Sequence, residues 1–461
     1  MERDAKVLYA TASPWRLFFI VALPGMVSML AMSIYSVIEG IFIGQTLGEG
    51  AFAAVNIAFP IVMINFAISD MIAVGASVPI AISLGKKEDA AANNFFSASL
   101  ILIFLSSVVM GGVMLVIAEP FARLSGAEDA VVDAAVRFIW TYAISSPLTT
   151  VFFAMDNYLR ISGYVRYSMI INLLNSVMML PLLCLFLFVF QMDVVGTALA
   201  ACVAMCLCAL LALIPFLRGK TILRFTRPRF SFAMLREIVA CGSPVFLNNI
   251  AGRVTSILLN VILVRLGLQA LGADGGTTAV AAYAVLMYSA DLCQPLLYGM
   301  SDSLAPAIGF NYGAGHYDRV KKLLRCNCIG ALAVSVAAVV GLLFGAPFVA
   351  SLFVNGEKSP ALLALATHAL RLFSIGYLFR WFSLVSQHFL SAIEKPLFAT
   401  ILSTSIALFA PVITLGALYP LGLDGVWLNL LGTSLITAAL GAGLLHIALR
   451  PLQEKKTDKT T

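Results

Sequence analysis

The sequence predicts an all-α polytopic membrane protein: twelve transmembrane helices in two six-helix lobes, related by a pseudo-two-fold axis along the membrane normal. Three observations predict it. Of 461 residues 61% are hydrophobic and only 11% charged, with a mean hydropathy of +0.97. A soluble domain carries about 25% charged residues, and this chain lacks the polar surface to cover itself in water. The apolar residues form long continuous runs, not alternating segments of about ten residues, which selects helices over an outer-membrane barrel. The second half of the chain also repeats the first.

In chain order, "MERDAKVLYATASPWR" is polar, carries no secretory cleavage pattern and leads straight into the first apolar run. The spans fall at about residues 16–43, 52–84, 94–118, 131–158, 164–190, 194–217, 234–266, 278–312, 323–345, 361–391, 396–419 and 424–448. Several exceed the roughly 20 residues that cross a bilayer core, so they must tilt, bend or project beyond it. With the termini and every second loop assigned to the cytoplasm, those regions hold 22 of the 29 Lys and Arg residues, from Arg3 to Lys459. The opposite side holds Arg123, Arg137, Arg265, Lys358 and Arg371, and the asymmetry places both termini in the cytoplasm. The net charge of +6 is therefore a matter of topology. It calls for anionic lipid headgroups and for no nucleic acid.

The basic loop "LRGKTILRFTRPRFSFAMLRE" divides the chain into an N-terminal lobe, 1–225 with spans 1–6, and a C-terminal lobe, 226–461 with spans 7–12. "AMDNYLRISGYVRYSMIIN" at 154–172 matches "VSQHFLSAIEKPLFATILS" at 385–403, and Pro24 in "LPGMVSML" matches Pro244 in "SPVFLNNI". Six spans per half is an even number, so the halves share one orientation. Two such lobes facing a central cavity suit alternating access.

Seven ionisable residues fall inside the spans: Glu39, Asp70, Asp156, Asp291, Asp302, Arg253 and Arg380. Each needs a partner or a wet cavity, because a charge at the bilayer centre costs about 2.5–3.5 kcal/mol on insertion scales. Asp156 lies four residues before Arg160, the spacing of an ion pair on one helix face, and reads as a cap or gate. Glu39 has no basic neighbour on its helix. It ends a stripe of Ser28, Met32, Tyr35 and Glu39, and a desolvated carboxylate there suits reversible protonation. Span 5 carries a neutral stripe, Ser168, Asn172, Asn175 and Met179. Span 8 carries Asp291, Gln294, Tyr298 and Asp302, span 7 Asn249, Arg253, Ser256 and Asn260, and span 10 Gly376, Arg380, Ser383 and Gln387. The expected pairing joins Arg253 to Asp291 or Asp302, as a static bridge or a gate. Asp70 faces either the cavity or Arg380.

Eight scattered cysteines read as small hydrophobes, with no zinc or disulfide pattern. No Walker loop, HExxH or GxSxG occurs, so the chain does not read as an enzyme. It implies no cofactor, and the energy comes from an ion or substrate gradient. Nothing in the sequence demands an oligomer.

At three places the residues resemble a known family. "MSDSLAPAIGFNYGAGHYDRVKKLL" at 300–324, "LPGMVSMLAMSIYSVIEGIFIGQTLG" at 23–48 and "DNYLRISGY" at 156–164 are similar to segments of the multidrug and toxic compound extrusion (MATE) family. The resemblance implies an exporter of small amphipathic, often cationic drugs or toxins. It would be driven by inward H⁺ or Na⁺ and sit in a bacterial inner membrane. In the most similar branch an acidic residue on helix 1 couples the cation, and Glu39 holds that position. Another branch uses acids on spans 7 and 10; Arg253 and Arg380 stand there instead, so that branch's Na⁺ site does not carry over. Two rivals remain. A lipid-linked oligosaccharide or peptidoglycan-precursor flippase of the same superfamily would want a basic cavity. An intramembrane prenyl-chain transferase would want clustered acids for Mg²⁺.

Overall fold

The computed structural model describes residues 5–124, 127–354 and 359–457. Arg3, Lys358 and Lys459 of the charge count lie outside the described residues.

Every regular element among the described residues is helical, as expected from runs that must satisfy their backbone groups internally in lipid. A short α1 (Ala5–Thr11) precedes α2 (Pro14–Thr46), α3 (Gly48–Gly85), α4 (Asp89–Arg123), α5 (Asp129–Ile161), α6 (Val165–Cys184) and α7 (Val194–Leu217). Then follow α8 (Phe232–Leu271), α9 (Gly275–Gly313), α10 (Tyr317–Phe353), α11 (Pro360–Ile375), α12 (Tyr377–Ala392), α13 (Pro396–Thr404), α14 (Ala410–Leu418), α15 (Leu423–Trp427) and α16 (Asn429–Thr457). Eleven helical spans are long and apolar enough to cross a membrane, or twelve when α11 and α12 count as one span. Large side chains such as Phe344, Phe348 and Val116 are exposed on them, as a lipid-facing surface requires.

Two details depart from the predicted map. The polar N-terminus does not run straight into the first span but forms α1; its Leu8 and Tyr9, and Ala12 just after it, are buried. Span 10 is broken by 50° between α11 and α12, at Gly376. The break coincides with a close approach: a Cβ on Gly376 would lie 2.6 Å from Leu430 Cγ and 2.9 Å from the Leu430 carbonyl carbon.

The chain forms two compact units. The first comprises Met1–Phe246 with Gly309–Gly315, the second Leu247–Ile308 with His316–Thr461. Helices α8 and α9 contribute residues to both.

In the first unit α3, α4, α5 and α7 pack through small residues, among them Ala54, Ala58, Ala118, Ala135 and Ala198. Without a hydrophobic drive between helices in lipid, close backbone approach and polar contacts hold such helices together. The Ser107 and Thr150 hydroxyls bond at 2.6 Å between α4 and α5, as do those of Ser99 and Tyr158. The tightest crossing joins α3 to the start of α8. A Cβ on Gly75 would meet the Ile238 carbonyl oxygen at 2.1 Å, and one on Gly242 would meet the Met71 carbonyl oxygen at 1.9 Å. Both obstacles are backbone, so neither can swing away. Gly242→Leu is therefore expected to lower stability by at least about 1–3 kcal/mol, the range for overpacking. Thermal melting of the purified protein in detergent reads this out; a wild-type melting temperature would contradict the crossing.

The second unit packs α12 against α10, α13 and α16. Its polar contacts are likewise buried: Ser383 bonds Thr437 at 2.8 Å, and Asn429 bonds the Pro411 carbonyl at 3.0 Å and Thr433 at 2.9 Å.

Candidate functional site

Two of the polar stripes meet in the first unit. Helix α2 packs along α6. Ser28 and Tyr35 of α2 are buried, while Met32 and Glu39 are half-buried. Ser168, Asn172, Asn175 and Met179 of α6 are all buried. The stripes touch at both ends: Ser28 shares a small recess with Ser168 and Asn172, and Tyr35 packs with Met179. The i, i+3/i+4 spacing on each helix turns these residues to one face, and the packing brings the two faces together.

At one end lies the Asp156–Arg160 pair, on the last turns of α5. The Arg160 guanidinium donates to one oxygen of Asp156. The other oxygen accepts from the Ser168 hydroxyl and, at 2.8 Å, from Asn172 Nδ2. The two side chains are 7% and 13% exposed, so the carboxylate and guanidinium hold each other out of water. Beside them Gly25, Ser28 and Met29 of α2 close the recess, which has about 10 Å³ of room, enough for a single water. The spacing of Asp156 and Arg160 predicts this bridge. It does not predict Ser168 and Asn172 as its clamps, which come from a different helix.

At the other end, about 16 Å along α2 at 1.5 Å per residue, sits Glu39. Tyr35 stands one turn before it on the same face of α2. Tyr142 of α5 is close enough to act on both Tyr35 and Glu39 electrostatically. Tyr142 packs edge-on against Phe66 at 6.1 Å and joins the cluster of Tyr35, Met179, Ala201 and Ala204. Tyr142 carries no sequence signal, because nothing in α5 alone says that it reaches α2. Pro24 stands inside α2, and the Ser28 hydroxyl bonds its carbonyl at 3.0 Å. A proline within a helix removes one backbone bond and marks a place where the helix can bend.

A further anchor was invisible in the sequence. The hydroxyl of Tyr9, on α1, donates to the Arg160 carbonyl, and Asn311 Nδ2 donates to the Tyr9 carbonyl at 3.1 Å. Lys6 pairs with Asp89 at 2.7 Å. The only available cue was the apolar pattern of Leu8, Tyr9 and Ala12 within a polar tail.

The remaining predicted residues lie in both units. Asp70 is half-buried on α3. In the second unit Asp291 is exposed and Asp302 half-buried, and Tyr298 meets His388 edge-on at 5.3 Å. The expected bridge from Arg253 to Asp291 or Asp302 does not form: Arg253 makes no ion pair among the described residues of its unit. The reason is orientation. Asn249, Arg253, Ser256 and Asn260 form the predicted stripe on α8, and that stripe is exposed. Arg380, by contrast, is buried, with Ser383 and Gln387 of its stripe. No cluster of three metal-ligating side chains occurs among the described residues.

A model of the family described as MatE matches the chain twice, over residues 24–185 and 244–415. The chain belongs to the MATE family. The two matches begin at Pro24 and Pro244, the same pair that marks the internal repeat. The multidrug export protein MepA of Staphylococcus aureus (strain N315) is 25% identical over 456 residues, covering 97% of each chain. MepA of Staphylococcus haemolyticus (strain JCSC1435) is 24% identical over 458 residues, covering 97% of this chain and 96% of its own. Among solved structures, an outward-facing conformation of a multidrug resistance MATE family transporter superposes with a TM-score of 0.90 at 22% identity, covering 98% of this chain and 99% of that one. Membership makes this chain a multi-span membrane transporter and not an enzyme.

Proposed function

We propose that this MATE chain is a secondary active exporter of amphipathic, often cationic drugs or toxins, working by cation antiport with alternating access. It would act in a bacterial inner membrane with both termini in the cytoplasm, without a cofactor and without need of a second copy. The observation that carries the reading is Glu39. It is the only charge of α2 beyond Arg16, and it sits at the end of a stripe that faces the polar face of α6. An acid inside a span is a functional group by default. Proton or Na⁺ uptake from outside neutralises the carboxylate and removes the cost of holding its charge in the span. Helix α2 then shifts about Pro24, and substrate leaves outward. The MepA relatives, named as multidrug export proteins, support the substrate class.

The flippase reading lacks what it needs. A pyrophosphate calls for several converging cations, whereas in the first unit Arg160 is already neutralised by Asp156.

The test is ethidium efflux from energised cells carrying the protein or an empty vector, with a protonophore or a Na⁺ ionophore added. Expression should lower dye retention, and one of the two ionophores should abolish the effect. Equal retention with and without the protein would refute export.

A further inference from the structure

A buried cation lacks a partner in the second unit. Arg380 is 8% exposed. Its Nε has no hydrogen-bond partner, and no carboxylate of its unit among the described residues pairs with it. One turn earlier on the same face stands Tyr377, fully buried, whose hydroxyl also has no partner. The two groups are close enough for Arg380 to act electrostatically on that hydroxyl. Both are donors. A buried donor left unsatisfied costs about 1–3 kcal/mol, and a charged one more, so a pair of them side by side calls for a shared acceptor.

The backbone adds to the same preference. The break at Gly376 makes Tyr377 and Arg380 part of the first turn of a half-helix, α12. The partial positive charge of a helix N-terminus favours an anion there. Asp291 of α9 also acts on Tyr377, but it is exposed and makes no ion pair with Arg380.

We propose that Arg380 and Tyr377 form an anion subsite in the second unit that takes the carboxylate of an amphipathic substrate. One guanidinium presents a planar fork that matches a carboxylate, and the phenol supplies a third donor. A pyrophosphate would need further cations, and among the described residues of this unit Arg380 is the only buried Lys or Arg. Substrates would then include zwitterions, whose acid end is held here and whose cationic end is held elsewhere. The identity of the ligand rests on the export reading, whereas the existence of the subsite does not, so binding and transport are measured separately.

The probes are tetramethylrhodamine, which carries a free carboxylate, and its methyl ester, which does not. Binding is read by fluorescence polarisation with the full chain in phosphatidylcholine nanodiscs. The wild type should bind the acid about tenfold or more tightly than the ester, as expected for a charge-assisted bond. Arg380→Gln should remove that preference by weakening the acid alone, Tyr377→Phe should reduce it, and Arg380→Lys should retain part of it. Retained ester binding shows that a variant is folded. If Arg380→Gln does not fold, selective weakening of the acid by Tyr377→Phe and Arg380→Lys carries the test. Equal binding of acid and ester by the wild type overturns the subsite, as does equal weakening of both dyes by the variants. Displacement of the acid by phosphatidylglycerol in the disc would make this a lipid-headgroup site and overturn the substrate reading. Failure of ester efflux in cells would count against the export reading and leave the binding result standing.

Discussion

Glu39→Gln is expected to abolish uphill export while leaving a folded protein that still binds substrate. Glutamine preserves the size and polarity of the side chain, but it can neither hold a negative charge nor exchange a proton. The coupling between cation and substrate is typically worth about 1–3 kcal/mol, or roughly 5–150-fold in affinity, and all of it would be lost. Glu39→Asp keeps the charge and shortens the arm by one methylene, so partial export should survive. The comparison is made at equal expression in the dye-efflux assay. Export by Glu39→Gln at the wild-type rate would remove Glu39 from the coupling step.

The second large effect concerns the Asp156–Arg160 pair. Both side chains are buried and the carboxylate is held by three donors, so removing either partner leaves an uncompensated charge. Breaking such a pair costs about 3–5 kcal/mol. Arg160→Ala or Asp156→Ala should therefore lower the thermal midpoint sharply. The double variant Asp156→Ala/Arg160→Ala should be more stable than either single variant, because no lone charge remains. Additive losses in the double variant would show that the two residues act independently. A positive result would assign the pair a structural role at one end of the stripe whose other end is Glu39.

Which of these features the sequence discloses follows from what periodicity encodes. Residues three and four apart share a helix face, so the stripes of Ser28, Met32, Tyr35 and Glu39 and of Ser168, Asn172, Asn175 and Met179 are legible on their own helices. The bridge between Asp156 and Arg160 is legible for the same reason. Periodicity does not say which neighbour a face meets. That is why the stripe containing Arg253 was paired with the acids of α9, although it is exposed in the structure. It is also why Tyr142 in the cluster of Tyr35 and Tyr9 beneath Arg160 leave no trace in the sequence. Gly376 belongs to a polar stripe on its helix, but its packing against Leu430 at the break depends on a contact more than fifty residues away in the chain. The twelve runs and the lobe repeat were readable because lipid demands long uninterrupted helices, a constraint that acts locally.

The most direct test of the central claim separates coupling from transport. Purified wild type and Glu39→Gln are reconstituted into liposomes, and two rates are measured with tetramethylrhodamine methyl ester: accumulation driven by an imposed H⁺ or Na⁺ gradient, and substrate exchange with no gradient. If Glu39 is the coupling carboxylate, the variant loses gradient-driven accumulation and keeps exchange. If accumulation persists in the variant, or if accumulation and exchange fall together, Glu39 does not couple the cation to the substrate.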